Sequence, residues 1–130
     1  MMKQRYTFTV NIRETNGKDR WLTSVYGSTK CRDRDGFWNE LKILHSLCSP
    51  IWMLAGDFNI VRWPSETNAK SLDKKNMSIF NNIIQDFGLV DPLFPTTPTL
   101  GPISELIRFI LDFGRFLYTK DWESTFKVHH

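Results

Sequence analysis

The run Ile51-Trp52-Met53-Leu54-Ala55, with Pro50 in front and Gly56-Asp57-Phe58-Asn59 behind, constrains this chain more than any other segment. A short apolar run stopped by a glycine reads as a buried strand. Such a strand delivers the acid and the amide that follow it, Asp57 and Asn59, to the edge of a sheet. In layered α/β folds that rim is where ligands usually bind. Gly-Asp-x-Asn is also good turn chemistry by itself, so a simple turn is the competing reading.

The flanking segments supply the layers such a strand needs. Residues 5–13 alternate, with Tyr6, Phe8, Val10 and Ile12 on one face and Arg5, Thr7, Thr9, Asn11 and Arg13 on the other. That is the pattern of a half-buried strand. Asn16-Gly17 is a turn signal, and residues 21–26 read as a second strand, so the two predict an antiparallel hairpin. Asp33 or Asp35 can cap a helix running to about Cys48, with Phe37, Trp38, Leu41, Leu44 and Cys48 on its buried face. After the central strand, residues 60–63 lead into a loop closed by Pro64, and the polar stretch 65–76 reads as a surface loop. Met77, Phe80, Ile84 and Phe87 mark the buried face of a second helix, which Gly88 stops. Leu89-Val90 reads as a short strand. Pro92, Pro95, Pro98 and Pro102 make residues 92–102 an irregular connection. Within 103–117, Ile103, Leu106, Ile107, Ile110 and Leu111 fit a helical stripe, whereas residues 115–119 look like a strand. The order strand–strand–helix–strand–helix–strand predicts a mixed α/β protein.

A chain of 130 residues is enough for one modest domain with a real core. The formal net charge of +3 is a weak pointer to an anionic partner. Cys31 and Cys48 offer neither a metal-binding spacing nor a disulfide framework, and read as two reduced thiols of an intracellular protein. No basic-then-apolar leader opens the sequence, so a secreted protein is not expected. No apolar run approaches the ~18 residues of a membrane span.

Several ordered motifs resemble the endonuclease/exonuclease/phosphatase family, and more narrowly the endonuclease region of plant LINE-type (non-LTR) retrotransposons. They are Trp52-Met53-Leu54-Ala55-Gly56-Asp57-Phe58-Asn59-Ile60-Val61 with Ser65-Glu66, the strand Trp21-Leu22-Thr23-Ser24-Val25-Tyr26-Gly27, and Phe37-Trp38-Asn39-Glu40-Leu41. Phe80 through Asp91-Pro92-Leu93, and Phe116 through Trp122-Glu123, continue the likeness, which covers roughly residues 5–126. The resemblance implies part of a four-layer αββα sandwich that cleaves DNA phosphodiesters with a divalent metal, usually Mg²⁺. It makes Asp57 the acid that handles the attacking water, Asn59 the phosphate-binding amide and Tyr26 a neighbouring phosphate contact. Asp112 falls near the family's late acid, although two extra residues separate it from Arg115.

The departures from the pattern point to a partial domain. The family's early Asn and Glu metal ligands have no counterpart, so the metal-binding residues are unknown. The closing Ser-Asp-His is also missing, and His129-His130 read as a tail. Removing one member of a catalytic assembly commonly costs most of the rate. The expectation is therefore a truncated domain, inactive as a nuclease, with a non-catalytic nucleic-acid-binding remnant or a non-functional fold fragment as alternatives. His45 reads as a packed or surface helical residue rather than a ligand. Glu66 reads as a surface residue, with a contact near the site as the alternative. Lys30, Arg32, Arg34, Lys70, Lys74 and Lys75 fall on predicted loops, where some could touch phosphates.

Overall fold

The structure is a computed structural model that describes residues 2–13, 17–27, 34–67, 73–91 and 114–122. Six strands form one mixed sheet: β1 (Met2–Lys3), β2 (Thr7–Arg13), β3 (Asp19–Tyr26), β4 (Trp52–Asp57), β5 (Leu89–Val90) and β6 (Arg115–Thr119). Two helices accompany them, α1 (Arg34–Cys48) and α2 (Lys74–Asp86). The strand order is β1-β2-β3-β4-β6-β5. β3 and β4 are parallel, in register from Trp21 opposite Trp52 to Tyr26 opposite Asp57, and α1 connects them. Every other neighbouring pair is antiparallel. The mixed α/β expectation holds, as do the hairpin, both helices and the short strands at 89–90 and 115–119. A second sheet, as a four-layer sandwich requires, is not seen among the described residues. The irregular connection 92–102, the stripe from Ile103 to Leu111, and Asp112 all lie outside them.

Alternation along β4 divides the core in two. Trp52 and Leu54 face the helices, where they join Val25, Leu117, Phe58 and the buried sides of α1 and α2. Met53 and Ala55 face the other way, with Phe116 and Trp122. The helical face of α1 consists of Phe37, Trp38, Leu41, Leu44 and Cys48, all essentially inaccessible, as their spacing predicts. Met77, Phe80, Ile83 and Ile84 do the same for α2. Trp38 stacks on Phe80 with ring centroids 5.7 Å apart, which joins the two helices. Of the two readings of His45, packed or surface, the packed one holds. Its ring lies flat on Phe87, with centroids 4.0 Å apart.

β2 turns its polar face, not its apolar one, to the helices. Thr7 and Thr9 are fully buried, whereas Ile12 is 44% exposed. The reason is a polar seam under α1. Glu40 is buried, and its carboxylate accepts from the Tyr6 backbone N–H at 3.0 Å and from the Thr7 hydroxyl at 2.6 Å. Thr9 and Thr23 are hydrogen-bonded to each other at 2.9 Å, and the Trp52 indole N–H donates to Thr23 Oγ1 at 2.8 Å. The Trp52 backbone N–H donates to Thr119 Oγ1 at 3.0 Å. A buried hydroxyl with a partner costs little, and a buried carboxylate without its donors costs a great deal. Satisfying Glu40 and Trp52 therefore sets which face of β2 points inward.

Glu40→Ala is expected to leave the Tyr6 N–H and the Thr7 hydroxyl buried and unpaired, at a cost of about 2–4 kcal/mol. Glu40→Gln, which keeps an acceptor oxygen, is expected to cost clearly less. Urea unfolding of the two variants checks this; equal losses would show that the seam acts only through packing.

Candidate functional site

An open cleft of about 570 Å³ lies where β4 ends. It also takes in Gly114, just before β6, Arg34 at the start of α1, and Asp73, the N-cap of α2. Because β3 and β4 are parallel, this is the carboxyl edge of that pair, where open α/β sheets place ligands. Asp57, Phe58, Asn59, Ile60 and Val61 form its floor, and Glu66 and Thr67 form part of its rim.

Two glycines let the backbones meet here. Gly56 has φ +140°, and a Cβ on it would sit 2.1 Å from the Val25 carbonyl oxygen. A Cβ on Gly114 would sit 1.9 Å from the Gly56 carbonyl oxygen. Neither gap admits a side chain, so β3, β4 and the approach to β6 close together immediately before Asp57.

The segment after β4 is a tight turn. The Asn59 N–H donates to Asp57 Oδ1 at 2.9 Å, and Asn59 takes the left-handed φ of 55°. This is the turn chemistry that Gly-Asp-x-Asn carries by itself. The Asn59 side-chain amide donates to the Gly27 carbonyl at 2.6 Å, and the Gly27 N–H donates to the Asp57 carbonyl at 2.7 Å. Asn59 thus spends one amide hydrogen on fastening β4 to the end of β3. Tyr26 stands opposite Asp57 in the register but does not line the cleft; its hydroxyl donates to the Gln4 carbonyl at 3.0 Å.

The remaining charges of the cleft are held in ion pairs. Arg34 does not lie on a loop, as its neighbourhood in the sequence suggested. It opens α1, is buried, pairs with Asp73 and donates to the Asn59 carbonyl at 2.6 Å. Asp73 also caps α2, accepting from the Asn76 N–H at 3.2 Å. This starts α2 at Lys74, so Lys74 and Lys75 belong to its first turn. Arg115 pairs with both Glu66 and Asp91, and Arg62 pairs with Asp91 at 3.0 Å. Glu66 is therefore no bare surface residue, because it belongs to this network. Asp57, by contrast, is exposed and has no ionic partner among the described residues.

Of the residues read from the sequence, Asp57 and Asn59 meet in the cleft. Arg34, read only as one of several basic residues that could touch phosphates, and Glu66, read with a contact near the site as its alternative, also line it, whereas Asp73 and Arg115 were not singled out for it. Asp73-Lys74-Lys75-Asn76 carries a capping signal that could have placed the start of α2; Arg115 has no local signature. The residues present fit Mg²⁺ poorly. That ion is commonly bound through one or two carboxylates with several waters, but the other cleft carboxylates are tied to arginines. No group of three or more His, Cys, Asp or Glu among the described residues could hold a metal. Cys48 is inaccessible, and burial pushes its thiol up to about 11. No helix among the described residues is long and apolar enough to cross a membrane.

No protein-family model matches the chain. No solved structure matches it either. Over 105 residues it is 28% identical to the probable glutathione peroxidase 8 of Mus musculus, a stretch that covers 80% of this chain. The chain spans about half the length of that relative, 47%. This likeness overturns the expected kinship with the endonuclease/exonuclease/phosphatase family and with plant LINE-type retrotransposons. The relative is named for peroxide chemistry, and the reading of a truncated, metal-dependent DNA endonuclease is corrected accordingly. A nucleic-acid partner is not supported.

Gly56→Ala is expected to cost more than about 3 kcal/mol, since both the positive φ and the contact with Val25 oppose a side chain. Gly17→Ala, at φ +84° but with open space around it, is expected to cost only about 1 kcal/mol. Equilibrium unfolding of the two variants compares strain alone with strain plus close approach. A Gly56→Ala protein as stable as Gly17→Ala would refute the tight closure.

Proposed function

We propose that the cleft at the end of β4 binds a small polar molecule, and that Asp57 is the group that meets it. The observation that supports this most is the contrast among the charged groups lining the cleft. Arg34, Asp73, Glu66 and Arg115 are all engaged in ion pairs, and Asp57 has none among the described residues. Its Oδ1 holds the Asn59 N–H, which leaves Oδ2 available. A carboxylate so placed accepts a hydrogen bond from a hydroxyl, an amino group or a water, and can take a proton from it. Asn59 holds the turn that presents it. Titration of the labelled protein with a set of small hydroxyl- and amino-bearing compounds is expected to shift the amides of residues 57–61. Asp57→Asn is expected to weaken that binding by at least about tenfold. Shifts confined to another surface, or full binding by the variant, would refute the proposal.

A second reading, thiol-dependent reduction of peroxide, is favoured by the likeness to the probable glutathione peroxidase. In such a reaction a thiolate attacks the peroxide, becomes a sulfenic acid and releases water or an alcohol. Two glutathione molecules then restore the thiol, giving water and glutathione disulfide. The reaction needs an accessible thiolate. Cys48 is disqualified by its burial and its raised thiol, which leaves Cys31, in the sequence between the end of β3 and the start of α1. Peroxide consumption with glutathione at pH 7 is expected to vanish in Cys31→Ser and to persist in Cys48→Ser. No turnover in the unmodified protein, or turnover that survives Cys31→Ser, would eliminate this reading.

A further inference from the structure

Arg115 carries two carboxylates, and they differ in kind. Its Nη1 donates to Asp91, whose side chain is only 5% exposed and also accepts from Arg62. Its Nη2 donates to Glu66, whose side chain is 20% exposed and lines the cleft. Asp91 is locked in place, because the Arg62 guanidinium that shares it also donates to Asn81 Oδ1 at 2.6 Å, while the Arg62 backbone carbonyl accepts from the Asn81 side-chain amide at 3.0 Å. Glu66 lies nearer the surface. It belongs to a single 3₁₀ turn, Pro64–Glu66, none of whose residues is buried. Its Oε1 caps that turn by accepting from the Arg62 and Trp63 N–H groups, so only Oε2 reaches Arg115.

A guanidinium facing a cleft, which keeps one carboxylate on a buried partner and meets a second through a single oxygen, can exchange that oxygen for another. We infer that Arg115 is the oxyanion-recognising residue of the cleft, and that Glu66 stands in for the carboxylate or phosphate group of a ligand. Arg115 follows Gly114 and is opposite Gly56 in the β4–β6 register, one residue before Asp57. Arg115 and Asp57 both line the cleft, so one small molecule lying in it can place an oxyanion on Arg115 and a hydroxyl or amino group on Asp57. The inference rests on the cleft reading above and narrows its ligand to a compact molecule with both groups.

The test is titration of the labelled full chain with inorganic phosphate and, separately, with acetate at low ionic strength. Glu66→Gln keeps the oxygen that caps the turn but removes the competing charge. It is expected to bind the preferred anion about tenfold more tightly than the unmodified protein, with amide shifts at residues 66 and 115. Adding Arg115→Lys, which keeps the charge but loses the fork, is expected to abolish the gain. Stronger binding of phosphate assigns a phosphate-bearing ligand, and stronger binding of acetate a carboxylate. Equal affinity in Glu66→Gln and the unmodified protein, or a gain that survives Arg115→Lys, would overturn the inference. Asp57-dependent binding of an uncharged hydroxyl compound, with no response to Glu66→Gln, would overturn it while leaving the cleft reading intact. Thermal unfolding of each variant shows that it remains folded.

Discussion

The central position of β4 is the constraint on which the rest of the structure depends. It pairs in parallel with β3 and antiparallel with β6, so it joins the N-terminal hairpin to the C-terminal strands. Trp52, at its start, is fully buried and hydrogen-bonds through both its backbone and its indole nitrogens. Gly56, near its end, permits a backbone contact that no other residue type allows. Between those two points each residue faces one half of the core or the other. The cleft exists because this crowded strand ends abruptly, and Asp57 is the first side chain past the crowding.

Much of this architecture was legible in the residue pattern. The spacing of Phe37, Trp38, Leu41, Leu44 and Cys48 marks the buried side of α1 because a helix repeats its face every three to four residues. The apolar run before Gly56 marks β4 for a similarly local reason. The inward face of β2 was not legible, because hydropathy ranks Phe8 and Val10 above Thr7 and Thr9. Burial of the threonines depends on partners far away in sequence, above all Glu40 and Trp52. The ion pairs of Arg34 with Asp73 and of Arg115 with Glu66 escaped for the same reason. They are contacts across 39 and 49 positions that no local spacing encodes.

The pair Asp57 and Asn59 illustrates how ordered short motifs can suggest a kinship that wider comparison does not support. Gly-Asp-x-Asn recurs wherever a strand must end in a tight turn, since Asp and Asn both bond their own backbone and Asn tolerates a left-handed φ. Here the Asn59 N–H closes on Asp57 and its side chain fastens to Gly27. That explains both residues structurally before any chemistry is assigned. What the turn leaves over is one carboxylate with no ionic partner among the described residues, and the proposed ligand chemistry starts from that remainder.

The buried carboxylate of Glu40 has a directional consequence. A helix resting on a sheet through aliphatic contacts alone can rotate about its axis or slide along it at modest cost. A helix whose carboxylate must meet one backbone N–H and one hydroxyl has a single angular setting. Glu40 lies six residues after Arg34, between one and two turns along α1. Fixing the azimuth at Glu40 therefore fixes it at the opening turn as well. The polar seam beneath the helix, remote from the cleft, acts as an aiming device: it points the Arg34 guanidinium at the Asn59 carbonyl and so steadies the floor of the cleft from behind.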